Sequence, residues 1–355
     1  MRILLLGDFS GMHSHLAAGL RDLGHSVTVA SSGDGWKRLS TDIHLGFDHP
    51  NVLRKVERNI KPFFLIEDLC NFDIVQLQNP VVFPWKFGVN AWAIRRIARS
   101  SKHMFLSAAG DDAFFWRNAR RQLRYGPFDD FLKYDLKAEY GFWQSERMWR
   151  WNEEVVNMVT SVIPVCYEYW LGYRECPKVS PIIPLPINCG AIRYTDNRVI
   201  GKLRIAHGLS REGFKGTRLI RAALDQVAKR YPKDIEVIYL DKLPYNQYLD
   251  ALRQTNILID QALSHSWGMS ALIALAMGKV VLSGAEPEAL EALGILESPV
   301  INICPDVNSI RNEIEKLIPM RNLLPAMGQG ARQFVEQTHD CRRIANQYME
   351  AWSMH

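Results

Sequence analysis

Apolar residues along this chain fall into two patterns. Short unbroken runs alternate with longer stretches in which apolar residues recur every three or four positions. Residues 3–6 are apolar throughout, and 27–30 are apolar but for Thr28. Unbroken runs suit a strand buried on both faces of a parallel sheet. Between them Leu16, Ala17, Leu20 and Leu23 keep helical spacing, and Gly24 follows as a stop. The pattern continues with strands predicted at 73–78, 104–107 and 162–165, a helix at 92–98 and a largely helical stretch over 129–159. It restarts later, with strands at 203–206, 235–240, 256–259, 280–282 and 300–303. Helices are predicted between these at 217–231, 245–254, 270–277 and 310–317, and a long amphipathic tail over 324–352.

Two such alternations predict an α/β protein of two doubly wound, Rossmann-like domains. Pro177, Pro181, Pro184 and Pro186 exclude a helix between the halves and mark a linker. The expected division is an N-terminal domain over 1–191, a second domain over 192–335, and a terminal helix over 336–355 returning to the first. The glycines after residue 6 do not fit G-x-G-x-x-G, so a dinucleotide fingerprint is absent.

Composition adds limits. The 355 residues are 47% hydrophobic and 23% charged, with a net charge of +5, which alone implies no nucleic-acid partner. Six cysteines stand apart with no C-x-x-C pair, so neither a zinc site nor a redox motif is indicated. No apolar run approaches the length of a membrane span, and the first residues do not read as a signal peptide. The expected compartment is the cytoplasm.

The charge is not spread evenly. Trp85, Lys86, Trp92, Arg95, Arg96, Arg99, Lys102, Phe114, Phe115, Trp116, Arg117, Arg120, Arg121, Arg124 and Tyr125 crowd into one stretch, opposed only by Asp111 and Asp112. Cations beside tryptophans suit an anionic membrane surface, while a solvated face over core aromatics accounts for the same residues.

Candidate chemistry sits where predicted strands end, since open α/β sheets bind ligands at strand carboxyl ends and helix N-termini attract anions. Gly11, His13 and His15 follow the first strand, and Asp111 and Asp112 follow the strand at 104–107. Solvated histidines and an N-cap acid are the plain alternatives. In the second half, His207, Arg211, Lys215 and Gly216 form a basic, glycine-bearing turn suited to a diphosphate. The strand at 256–259 ends at Asp260, followed by His265, Gly268 and Met269 at a helix start, with Glu286 and Glu288 beyond.

These residues carry a resemblance. Residues 11–27, ending Leu-Gly-His-Ser-Val, resemble the first helix and second strand of family 4 glycosyltransferases of the GT-B fold. Residues 207–216 are similar to that family's donor-phosphate loop, and 268–282 to its segment ending Gly-Lys-Pro-Val. The resemblance implies two Rossmann-like domains facing across a cleft, a UDP- or GDP-type nucleotide sugar as co-substrate, no further cofactor and no metal. It also implies transfer to a glycan or lipid-linked acceptor in bacterial surface polysaccharide synthesis, with retention favoured over inversion; the cluster over 85–125 adds a peripheral place at the inner face of the plasma membrane. The family's paired glutamates fall here at His265 and Ile273, and its proline at Val280, so the ribose contact is not carried over. Glu286 or Glu288 are the acids left to supply it. Asp111, Asp112 and His13 are the catalytic candidates, with Asp111 or Asp112 as base if configuration inverts. Two alternatives stay open. One is a non-catalytic GT-B partner or sugar-binding subunit; the other is a sugar-nucleotide 2-epimerase.

Overall fold

The computed structural model describes residues 1–46, 52–134, 140–210 and 213–355. It divides into two compact units. The first comprises Met1–Arg121, Gly141–Asn188 and Cys341–His355; the second comprises Gln122–Tyr140 and Cys189–Asp340. The chain thus enters the second unit briefly at residue 122, well before the proline-rich stretch.

The first unit holds six strands: β1 (Arg2–Leu6), β2 (Ser26–Ser31), β3 (Ile43–His44), β4 (Ile74–Leu77), β5 (His103–Ala108) and β6 (Ser161–Pro164). They form one parallel sheet in the order β3-β2-β1-β4-β5-β6. Ile3, Leu4, Leu5 and Leu6 are fully buried, because helices cover both faces. The helix Met12–Asp22 returns the chain from β1 to β2. Against it lies the last helix, Cys341–Ser353. A Cβ on Gly19 would stand 2.1 Å from the Cys341 carbonyl oxygen, so only glycine permits this approach. Trp352 Nε1 donates to Gln76 Oε1 at 2.9 Å beneath β4. The helical tail is interrupted: Leu324–Thr338 ends before His339, and the second piece belongs to the first unit.

The second unit holds β7 (Leu203–Gly208), β8 (Ile235–Leu240), β9 (Ile257–Ile259), β10 (Val280–Ser283) and β11 (Ile301–Asn302). They form a parallel sheet in the order β11-β10-β9-β7-β8. Its core joins Ile205, Ile257, Ile259, Val280 and Leu282 to Ile220, Leu224 and Val227 of the helix Thr217–Arg230. Fully burying each such side chain contributes about 1.5–3 kcal/mol. β8 is an edge strand, and its mixed burial, with Glu236 exposed, reflects that position.

In each sheet the strand order reverses once, between β1 and β4 in the first and between β7 and β9 in the second. Adjacent loops leave in opposite directions at such points, which opens a crevice at the strand carboxyl ends.

Among the described residues no helix is long and apolar enough to cross a membrane. The cluster over 85–125 does not form one surface. Phe114, Phe115 and Trp116 are core residues, 8%, 2% and 2% exposed, packed in the helix Ala113–Arg117. Arg124 and Tyr125 lie in the second unit, bonded to Glu286.

Candidate functional sites at the two switch points

In the second unit the loops after β7 and β9 meet. Lys215 Nζ donates to Asp260 Oδ1 at 2.6 Å, with the two side chains only 12% and 2% exposed. Ala262 N–H donates to the Lys215 carbonyl, which ties the two loops by backbone as well. Gly216 adopts φ +72° and leads into the helix Thr217–Arg230, whose first amides carry no side-chain cap. Those amides and the ammonium make a seat for an anion. Arg211 lies outside the described residues.

His207 sits beneath this seat with no exposure. Its Nδ1 donates to the Ile259 carbonyl at 2.8 Å, and its Nε2 accepts from the Thr217 hydroxyl at 2.9 Å. Burial holds the ring neutral, with a pKa lowered to about 4. Both nitrogens are engaged, so His207 clamps β7, the end of β9 and the helix start together.

The helix Met269–Ala276 starts at Gly268, whose hypothetical Cβ would lie 3.6 Å from Asp260 Oδ2. A longer side chain there would crowd the carboxylate. Met269 and Ile273 are buried, so the second position of the expected glutamate pair is filled by core packing. His265 is 1% exposed and stacks on Tyr125, with ring centroids 4.3 Å apart and planes at 20°. Its Nε2 lies 3.7 Å from Glu288 Oε1.

Glu286 anchors this corner. Its Oε1 accepts from the Tyr125 hydroxyl at 2.6 Å and from Asn302 Nδ2 at 3.1 Å, while Oε2 accepts from Arg124 Nη2 at 2.7 Å. Arg124 also donates to Glu288 Oε1 at 2.8 Å. Burial alone would raise the Glu286 carboxyl, but the donors Tyr125, Asn302 and Arg124 outweigh it and bring it down to about 2. Asp130, on the same inserted segment, accepts from Arg218 at 3.1 Å, and the Arg218 guanidinium lies over the Tyr134 ring. Neither Tyr125 nor Asn302 stood out as a site residue in the sequence. Nothing in local spacing joins either to an acid so distant along the chain.

In the first unit Gly11, at φ +82°, precedes the helix Met12–Asp22. Asp8 caps that helix, accepting from His13 N–H at 3.0 Å and from Ser14. Burial raises its carboxyl to about 6. His13 is fully buried; its Nδ1 donates to the Gly7 carbonyl at 2.6 Å, and its Nε2 has no hydrogen-bond partner among the described residues. Burial lowers its pKa to about 4, so Nε2 carries an unprotonated lone pair. His15 accepts at Nδ1 from Asn188 N–H and fastens the linker.

Asp112 is spent structurally. It caps the helix Ala113–Arg117, accepting from Phe115 N–H at 2.8 Å, and its other oxygen accepts from the Tyr173 hydroxyl at 2.7 Å. It is fully buried, and burial raises its pKa to about 6. Asp111 is half-buried beside it and accepts from Trp116 Nε1 at 3.2 Å. The structure therefore gathers Lys215, Gly216, Asp260 and Gly268 at the switch point of the second sheet, with Met269 opening the helix there, while His265 and Glu288 lie together by the end of β10. Gly11 and His13 stand at that of the first, and Asp111 at the end of β5.

Two parallel, doubly wound sheets built this way define a GT-B fold. Solved structures agree along the whole chain. HepE from Anabaena, solved in complex with UDP and glucose, superposes with a TM-score of 0.63 at 12% identity, covering 100% of both chains. Sucrose-phosphate synthase from Thermosynechococcus elongatus gives a TM-score of 0.67 at 13% identity, over 100% of this chain and 99% of that one. The UDP-GlcNAc 2-epimerase from Neisseria meningitidis, solved with UDP-GlcNAc, gives 0.54 at 13% identity over 100% of both. No protein-family model and no curated protein matches the sequence.

Proposed function

We propose that the protein transfers a sugar from a UDP-type nucleotide sugar to a glycan or lipid-linked acceptor, as a family 4-like glycosyltransferase without a metal. The observation that carries this reading is the Lys215–Asp260 pair beside two helix N-termini, at the reversal point between β7 and β9. In the transfer, the bond from the anomeric carbon to the diphosphate oxygen breaks, and a bond to the acceptor oxygen forms. Negative charge grows on the diphosphate as it leaves. Lys215 keeps two N–H donors beyond its bond to Asp260, and Arg211 lies close in sequence. Together with the amides after Gly216 and Gly268 they meet that charge without a metal.

The reading gives Glu286 a different task from the one expected of it. Its oxygens are committed to Tyr125, Asn302 and Arg124, so Glu288, whose Oε1 alone is bound by Arg124, is left to face the nucleoside. Retention needs no strong base, and the acceptor proton then leaves with the diphosphate. Asp111 is the accessible carboxylate if the acceptor proton goes to the protein instead. A role in surface polysaccharide synthesis follows from the resemblance alone.

The test is calorimetric titration of UDP, GDP, CMP and dTDP species. UDP binding that is lost in Lys215→Ala supports the reading. Unchanged affinity in that variant overturns the assignment of the site. The epimerase alternative has support in the match to the Neisseria enzyme. It predicts turnover of UDP-GlcNAc with no acceptor present, whereas the transferase reading predicts none.

A further inference from the structure

The first unit exposes aromatic side chains that its own packing leaves uncovered. The helix Val52–Leu65 carries Val56, Ile60 and Phe64 at helical spacing on an exposed stripe, with Phe64 80% exposed. Arg58 and Lys61 belong to the same helix. Phe63 packs on Trp92, with ring centroids 4.5 Å apart, which joins this helix to the helix Val89–Ser100. Phe87, just ahead of that second helix, is 91% exposed and held at φ +56°. An exposed aromatic in the left-handed region combines two unfavourable features, apolar exposure and backbone strain.

Beside Phe87 lies a cavity of about 220 Å³ lined by Trp85, Gly88, Arg95, Arg147, Arg150 and Trp151. Glu154 is also on its wall, but its carboxylate is bound by Arg95 through two bonds of 2.5 and 2.8 Å. Arg150 reaches Glu146 only at 3.4 Å. Arg147 has no carboxylate partner among the described residues and lies over the Trp85 ring, 5.0 Å from its centroid. The cavity is therefore cationic, with aromatic walls.

We propose that the stripe of Val52–Leu65, Phe87 and this cavity form one face that seats on an anionic phospholipid surface, a headgroup phosphate entering between Arg147 and Arg150. Apolar rings enter the interface while guanidinium groups meet phosphate, which is the balance that holds interfacial helices. The inference does not rest on the transferase reading, because it uses no residue of the proposed donor site.

Sedimentation with vesicles tests it, using phosphatidylcholine alone and an equal mixture with phosphatidylglycerol. The protein is expected to bind the mixture at low salt and to leave it at high salt. Arg147→Gln with Arg150→Gln should weaken that binding about 30-fold. Phe64→Ser with Phe87→Ser should weaken it roughly 10-fold or more. All four positions are at the surface, and matching thermal melts show that the variants are folded. Equal binding to neutral vesicles, or variants that bind as the parent does, would overturn the proposal. So would quenching of tryptophan fluorescence by glycerol phosphate in a protein that ignores both vesicles, because the cavity would then take a soluble phosphate ester.

Discussion

Arg124 and Glu286, 162 residues apart in the chain, form an ion pair at 2.7 Å within the second unit. Tyr125 adds a second bond to the same carboxylate, and its ring covers His265. The segment that leaves the first unit is therefore fastened at the corner of the proposed donor site. Hydrogen bonds to a charged group are worth about 1.5–3 kcal/mol, but Arg124 is half-exposed and screened. Arg124→Ala should cost about 1–2 kcal/mol in urea unfolding. Glu286→Gln should also raise hydrogen exchange in residues 122–134, and unaltered protection there would show that the segment is held otherwise. Glu286 is pulled down from its ordinary 4.5 to about 2, so its contribution is full above 4.5 and fades as pH falls through 2.

Lys215 and Asp260 are buried together, so removing one strands the other. Lys215→Met leaves the carboxylate uncompensated and should cost about 3–5 kcal/mol. Lys215→Met combined with Asp260→Asn should recover part of that loss, with a coupling of about 2 kcal/mol in a double-mutant cycle. Both the single and the double variant should lose UDP binding, because the donor N–H groups are gone in each. Full additivity of the two stability losses would mean that the pair does not interact as the 2.6 Å bond implies.

Gly284 separates steric from conformational demands on glycine. A Cβ there would stand 1.9 Å from the Ser264 carbonyl oxygen and 2.6 Å from its carbon, both backbone atoms of the loop after β9. Gly284→Ala should therefore force that loop away from β10 and cost about 3 kcal/mol or more. Gly24 has φ +84° and open space around it. Gly24→Ala should cost only the left-handed strain, about 1–2 kcal/mol. Similar losses from the two substitutions in urea denaturation would contradict this distinction.

The strands were legible because parallel sheets buried on both faces leave unbroken apolar runs, as at Ile3 to Leu6 and Ile257 to Ile259. The loops after β7 and β9 were legible because glycine, lysine and aspartate mark strand ends. The helix Val52–Leu65 escaped notice, since Pro62 interrupts its pattern and its apolar stripe faces outward. Composition could not separate Phe87, which is exposed, from Phe115, which is core, because each has a tryptophan and a basic residue within two positions. Asp111 and Asp112 are adjacent and chemically alike. Only the position of Tyr173 and of the Phe115 amide makes one a buried cap and leaves the other half-exposed.

Five buried groups set an acid response that cancels in part. His13, His15 and His207 are lowered from 6.5 to about 4 by burial. Between those values the unfolded chain binds the extra protons, so these groups favour the fold above 6.5 and lose that effect as pH falls through 4. Asp8 and Asp112 are raised from 3.8 to about 6, and there the native state binds the protons. Their effect runs the other way, with stability falling as pH rises from 3.8 to 6. Three protons against two leave a net of about one between pH 4 and 6, or about 1.4 kcal/mol per pH unit. Asp112→Asn keeps the helix cap through its amide oxygen, turns the Tyr173 contact round so that the amide donates to the phenol oxygen, and removes one opposing proton. The slope of unfolding free energy against pH should then about double over that range. Urea titrations at pH 4.5, 5 and 5.5 (values inside the window set by those shifts, about 4 to 6) measure it. An unchanged slope would mean that Asp112 is ionised in the folded protein.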